Sequence, residues 1–191
     1  MEHIALKVIR DEHSALSAVL RTLPMLLAAH RRDGTLPDFH ALRAMLFYID
    51  EFPERLHHAK ESTLLFPRLR LRSELAREVL DRLDREHAQG ERAILDLEHA
   101  LLGFEMMGES RRAAFEQAAE RYVAFYLAHM RVEEQEILPL AARVLNDDDW
   151  AVLDPAFAAN LDPLTGHPVR AEYDALFSRI VRLVPAPLGL G

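Results

Sequence analysis

The chain has 191 residues, half of them apolar, which is enough for one domain with a sizeable core and too few for a second full domain beside it. It contains no cysteine, so disulfides, thiolate catalysis and sulfur-ligated zinc or iron–sulfur clusters are excluded, and any metal must be held by His and carboxylate groups. A formal charge of −8 argues against a nucleic-acid surface. The opening MEHIALKVIRDEH breaks its apolar residues with Glu2, Lys7, Arg10 and Asp11, so neither a leader peptide nor a membrane span is expected there and a cytoplasmic location is the default.

Apolar residues recur at three- and four-residue steps along the chain, and no alternating strand pattern occurs. The first predicted helix covers residues 3–32 through Ile4, Val8, Ala15, Val19, Leu20, Leu23 and Leu27, with Pro24 expected to kink it. RRDGTLPD (31–38) reads as a turn, Gly34 stopping one helix and Pro37 opening the next. The second helix runs from residue 38 to about 71 through Leu42, Met45, Leu46, Ile49 and Leu56, and Pro53 should bend it just before His57. Ser73 and Glu74 open the third, which passes through Leu75, Val79, Leu83, Ile94 and Leu101 to about Met107, with Gly108 closing it. The fourth spans about 109–144 through Phe115, Tyr122, Phe125, Tyr126, Ile137 and Leu140. Beyond it, NDDDW (146–150) supplies Asp residues for a helix cap, Pro155 sits early in a short helix, and DPLTGHP (162–168) is a loop. Residues 169–183 are amphipathic through Val169, Tyr173, Leu176, Ile180 and Leu183, and PAPLGLG ends the chain irregularly. The expected fold is all-α: an up-down-up-down four-helix bundle over residues 1–145, with additional C-terminal helices in a 146–191 extension that packs on it.

One unit occurs twice. HHAKESTLLFP (57–67) and HMRVEEQEILP (129–139) each hold His-x-x-x-Glu, His57 with Glu61 and His129 with Glu133, and each ends in Pro six residues beyond the Glu. On a helix this spacing puts imidazole and carboxylate one turn apart on the same face. Each copy is preceded by a lone histidine, RDEH at His13 and DREH at His87. Roughly one His-x-x-x-Glu pair is expected by chance in such a composition, and an isolated one is usually a surface ion pair. Three occur, the third being His87 with Glu91. Residues equidistant from a short turn between antiparallel helices sit at equal height, and counting about 14 to 20 residues either side of each turn puts His13, His57, His87 and His129 at one level. The candidate metal ligands are therefore His13, His57, Glu61, His87, His129 and Glu133. Imidazole with carboxylate suits iron, zinc or manganese. A ferritin-like Glu-x-x-His reading fits Glu54 with His57, but the residue three before His129 is Tyr126. His58 also precedes Glu61, by three; the Pro alignment favours His57 and leaves His58 a rim or supporting residue. His3, His30, His40, His99 and His167 lack such a setting and read as solvent-facing. Tyr126 is either core or a hydrogen-bond donor aimed at the metals, and Ile9, Leu16, Phe125 and Ile137 would wall the site from water.

In the order His13, His57-x-x-x-Glu61, His87, His129-x-x-x-Glu133, and in the phrase FPERLHHAKE (52–61), the chain resembles the hemerythrin-like family, the HHE cation-binding domain, over about residues 3–145. The resemblance implies a non-haem di-iron centre of two iron ions inside a four-helix bundle, zinc or manganese being the rival metals, with Glu61 and Glu133 bridging and each unit's histidines on one iron. It further implies a small diatomic or peroxide ligand. The charge and the interrupted opening segment leave no nucleic-acid or membrane partner expected, and the amphipathic C-terminal segment, which caps its own bundle or makes a dimer contact, leaves a monomer or homodimer. Where respiratory hemerythrins have a second His one turn after the third-helix His, this chain has Glu91, able to face the same iron, which weighs against reversible oxygen carriage. The Cys-bearing N-terminal segment of many iron-centre repair members is lacking, which weighs against repair. Two classes of function follow: handling of oxygen, peroxide or nitric oxide, or non-catalytic iron storage, delivery or sensing.

Overall fold

The computed structural model describes residues 2–167 and 174–183. Among them there is no strand, and no helix is long and apolar enough to cross a membrane. Helix α1 (Ile4–Arg32) runs unbroken past Pro24. Asp38 caps α2 (Phe39–Ile49), its carboxylate accepting from the amides of His40 and Ala41, so Pro37 lies before the cap and not at the first helical position. After α2 the chain stays helical but winds more widely through Asp50–His58 and again through Glu61–Leu65, then tightens into α3 (Phe66–Arg72). Ser73 is extended and its hydroxyl caps nothing; a 3₁₀ turn (Glu74–Ala76) leads into α4 (Arg77–Met107). A single residue, Gly108, at φ +68°, joins α4 to α5 (Glu109–Val132). A wide turn (Glu133–Ile137) then leads to α6 (Leu138–Val144). Asn146, not an Asp, caps α7 (Asp147–Ala158) in a reciprocal box with Asp149, and Pro155 lies in its second half. Pro163–Thr165 form a 3₁₀ turn, and α8 covers Asp174–Leu183; Val169, Tyr173 and the final PAPLGLG lie outside the described residues.

The two wide turns have one cause. Pro67 and Pro139 carry no N–H, and their rings crowd the carbonyl four residues back, so the preceding turn opens. The residue before each proline then bonds five residues back: Phe66 N–H donates to the Glu61 carbonyl and Leu138 N–H to the Glu133 carbonyl. Both wide turns thus start on the repeated glutamates.

The helices pack as a bundle, α4 along α5, α1 against α5, and α2 against α4, with α7 laid on α1 and α8 on α2. Two apolar clusters form. One gathers Leu20, Leu23, Met45, Tyr48, Phe104 and Phe115; the other gathers Ile9, Phe66, Leu80, Leu83, Leu138 and Phe157. His13, His57 and His87 lie in the sequence intervals between these clusters, and His129 stands one residue before Met130, the last member of the first cluster on α5, so a polar layer lies where the two dry halves meet. Ile4, Leu56 and Leu75, which the periodicity turns inward, are exposed.

Candidate metal centre

α1 delivers His13, the wide segment after α2 delivers His57, His58 and Glu61, α4 delivers His87, α5 delivers His129, and the next wide turn delivers Glu133. None of these seven side chains is more than 6% exposed. Buried histidines and carboxylates at this density are costly unless they pair or hold a cation.

The atoms converge. His13 Nε2 lies 3.2 Å from His57 Nε2, and His87 Nε2 lies 3.1 Å from His129 Nε2. Glu133 spans both pairs, with Oε2 3.4 Å from His13 Nε2 and Oε1 3.2 Å from His129 Nε2 and 3.6 Å from His87 Nε2. Glu61 does the same through Oε2, 3.3 Å from His57 Nε2 and 3.6 Å from His87 Nε2. Three groups of metal-ligand spacing result: His13, His57 and Glu61; Glu61, His87 and Glu133; and His58, His87 and His129.

Every one of these histidines is held from behind. His57 Nδ1 donates to Glu12 (2.6 Å), His129 Nδ1 to Glu86 (2.8 Å), His13 Nδ1 to Glu134 (3.2 Å) and His58 Nδ1 to Glu54 (3.1 Å). Ser62 gives its proton to Asp84 and so accepts from His87 Nδ1 at 2.8 Å. An Nδ1 that donates leaves Nε2 unprotonated and available as a ligand, which is how proteins orient metal-binding imidazoles. Asn160, beyond α7, donates to Glu12 at 2.9 Å and thereby steadies the support of His57.

The donor set fits divalent metal cations. The four carboxylate oxygens of Glu61 and Glu133 are buried with no hydrogen-bond partner, although Glu61 Oε2 and both oxygens of Glu133 face histidine Nε2 atoms. Positive charge is demanded here. Burial by itself would lower the His129 pKa, but Glu133 and Glu86 outweigh it and raise it to about 10. Against the same opposing burial, Glu133 and Glu134 raise His13, and Glu61 and Glu12 raise His57 well above the ordinary range. Burial would raise Glu133, yet His129, His13 and His87 hold it well below the usual carboxylate range. His58 is the exception: burial and the neighbouring imidazoles of His87, His57 and His129 push it well below the ordinary value, so it stands as a neutral donor.

The structure brings together all six residues singled out from the sequence and adds His58, stacked on His87 with ring centroids 4.3 Å apart. The Pro alignment of the two copies points to His57 and makes His58 a rim or supporting residue; the wide winding of Asp50–His58, however, puts more residues into each turn than an α-helix and turns both imidazoles inward. Glu91, whose spacing from His87 left it able to face the metals, turns the other way. It is exposed, while the position before it, Gly90, faces the interior. Tyr126 does not aim at the cluster centre: its hydroxyl donates to Glu54, which Tyr122 also contacts at 2.8 Å. The supporting carboxylates Glu12 and Glu86 had a sequence signal, since each immediately precedes a lone histidine. Asn160 had none. Ile9, Leu16 and Ile137 are buried as expected, and Phe125 is partly so.

A helical bundle with histidines and two bare carboxylates converging in a dry central layer defines a metal-binding protein. The hemerythrin HHE cation-binding domain matches residues 4–141, and the chain belongs to that family, whose members typically bind iron. Comparison with curated proteins and with solved structures gave no match.

Proposed function

We propose that the protein holds two iron ions and uses them to bind or reduce a small ligand: dioxygen, peroxide or nitric oxide. The observation that carries this is the convergence of four backed imidazoles on the unpartnered oxygens of Glu61 and Glu133, with His58 beside His87 and His129 as a fifth. Divided by distance, His13 and His57 would hold one ion, His58, His87 and His129 the other, and the two glutamates would serve both. Iron, zinc and manganese all accept such ligands; the family favours iron. A carboxylate-bridged iron pair supplies redox equivalents and coordination positions for a small ligand.

The chain's own residues supply an uneven setting for that chemistry. The two-histidine half borders a cavity of about 10 Å³ lined by Glu12, His13, Leu16, Phe52, His57 and Asp162, room for about one water-sized molecule. The three-histidine half is packed by Tyr126 and Phe66, which stack on His58 and His87. A small ligand is thus favoured at the half with fewer protein donors. Ligands this deeply buried weigh against rapid delivery of iron to an acceptor, and so against the storage or delivery reading.

The test is metal analysis and an optical spectrum of freshly purified protein, followed by exposure of the reduced protein to oxygen, peroxide and nitric oxide. Two irons per chain and a visible spectrum that responds to at least one of the three are expected. Zinc alone, a single ion, or a spectrum that responds to none would overturn the reading.

A further inference from the structure

The two copies of the repeat superpose in sequence with an offset of 72 residues at the paired histidines and 74 at the lone ones. Most of the site obeys this. Glu12 corresponds to Glu86, each supporting the paired histidine of its own copy; Ser62 corresponds to Glu134, each supporting the lone histidine of the other copy; and Pro67 corresponds to Pro139, each following a wide turn. Four pairs of positions do not match and bear on one place: His58 against Met130, Glu54 against Tyr126, Asp50 against Tyr122, and Leu16 against Gly90. His58, Glu54, Tyr126 and Gly90 all meet at one place.

There, Glu54 is 1% exposed. Its Oε2 accepts from His58 Nδ1 at 3.1 Å, while its Oε1 accepts from Tyr122 at 2.8 Å and from Tyr126. The Tyr126 ring also stacks on His58, centroids 5.4 Å apart and planes 6° from parallel. The phenol needs the missing side chain of Gly90: a Cβ there would stand 1.7 Å from the Tyr126 hydroxyl and 3.0 Å from Glu54 Oε1. A carboxylate with two fixed phenol donors on one oxygen has one orientation left for the other, and that orientation takes the Nδ1 proton of His58. The imidazole then has its lone pair on Nε2, facing His87 and His129.

We propose that Glu54, clamped by Tyr122 and Tyr126 over Gly90, is the positioning residue that recruits His58 and so turns a symmetric four-histidine site into an asymmetric one with a three-histidine half. The inference rests on the two-ion reading above. Glu54 touches neither ligand nor metal in this account; it acts through His58. It also supplies the additional histidine from position 58, where the sequence offers none at position 91.

The experiment is a thermodynamic cycle on metal binding. Anaerobic ferrous ion is titrated into metal-free wild type, Glu54→Leu, His58→Ala and the double variant, with circular dichroism confirming the fold of each. Glu54→Leu and His58→Ala should each weaken one of two ions by about 10- to 100-fold and leave the other near its wild-type affinity. The double variant should match His58→Ala, because a residue acting only through His58 has nothing left to act on. Should Glu54→Leu not fold, Tyr126→Phe takes its place in the cycle, with a loss of roughly 3- to 10-fold that again vanishes beside His58→Ala. Wild-type constants in the Glu54 or Tyr126 variant, or a loss that persists in full on the His58→Ala background, would overturn the proposal. If the wild type itself takes one ion, the two-ion reading fails; this proposal stands if His58→Ala weakens that ion and Glu54→Leu adds nothing to it, and falls otherwise.

Discussion

Glu12 and Glu86 each stand next to a lone histidine in sequence yet support the paired histidine of their copy, His57 and His129, from across the bundle. The residues after Glu61 and Glu133, Ser62 and Glu134, support the lone histidines of the opposite copy. Each of these four imidazoles is thus fixed by a different helix from the one that carries it, and a lost one cannot be replaced by small shifts of its neighbours. His57→Ala and His129→Ala should each lower bound metal from two ions towards one, whereas Glu91→Ala, on an exposed position, should keep full occupancy and change stability by no more than about 0.5 kcal/mol. Metal analysis of the three variants checks this, and full occupancy in both histidine variants would sink it. A second residue-scale outcome concerns Asp162, which accepts from Tyr48 and from the Leu164 amide, both at 2.8 Å. Burial pushes its carboxyl up to about 6 from 3.8. The folded state therefore binds this proton more tightly than the unfolded chain, so the group's stabilising share is present below about pH 4 and is lost as pH rises through about 6, by at most about 3 kcal/mol. Subtracting the stability of Asp162→Asn from that of the wild type, both metal-free, should give a difference that falls between pH 4 and 7; a flat difference would contradict it.

At the scale of elements, the wide turns on Glu61 and Glu133 trade helix regularity for the placement of the two glutamates. Pro139 is exposed, so its replacement disturbs no packing. Pro139→Ala restores an N–H that can bond four residues back, removes the proline penalty and favours ordinary α winding. The metal-free variant should melt at the same temperature as the wild type or higher, while its metal affinity drops at least about tenfold because Glu133 turns away from the histidines. Unchanged affinity would show that the wide turn is incidental. The segment after α7 belongs to the same scale. Besides packing on the bundle, it sends Asn160 to Glu12 and Asp162 to the small cavity, and Lys60 ties it down by donating to the side-chain oxygen of Asn160.

For the whole molecule, the consequence is a fold whose middle layer is stable in proportion to the charge it contains. Two apolar clusters hold the ends of the bundle, and between them lie buried carboxylates whose oxygens no protein donor satisfies. Metal binding adds RT ln(1 + [L]/Kd) to the folding free energy, about 4 kcal/mol at a free concentration a thousandfold above Kd. Chelation should therefore lower the melting temperature by on the order of 10 °C. A melting curve that does not move after verified metal removal would mean that the layer is satisfied without a cation.

The sequence by itself determined the all-α class, the helix order and the six ligand candidates, because helical periodicity and the His-x-x-x-Glu spacing are local and were written twice. It also carried the cause of the wide turns in Pro67 and Pro139, though not their effect. Only the tertiary structure decided that His58 faces inward, that Glu91 faces outward and that Glu54 belongs with Tyr122, Tyr126 and Gly90. A one-residue change of facing depends on how widely the helix is wound near Pro53 and Pro67, which no repeat spacing encodes. Contacts such as Asn160 to Glu12 join residues 148 positions apart, and these exist only once the chain beyond α7 has folded back over α1.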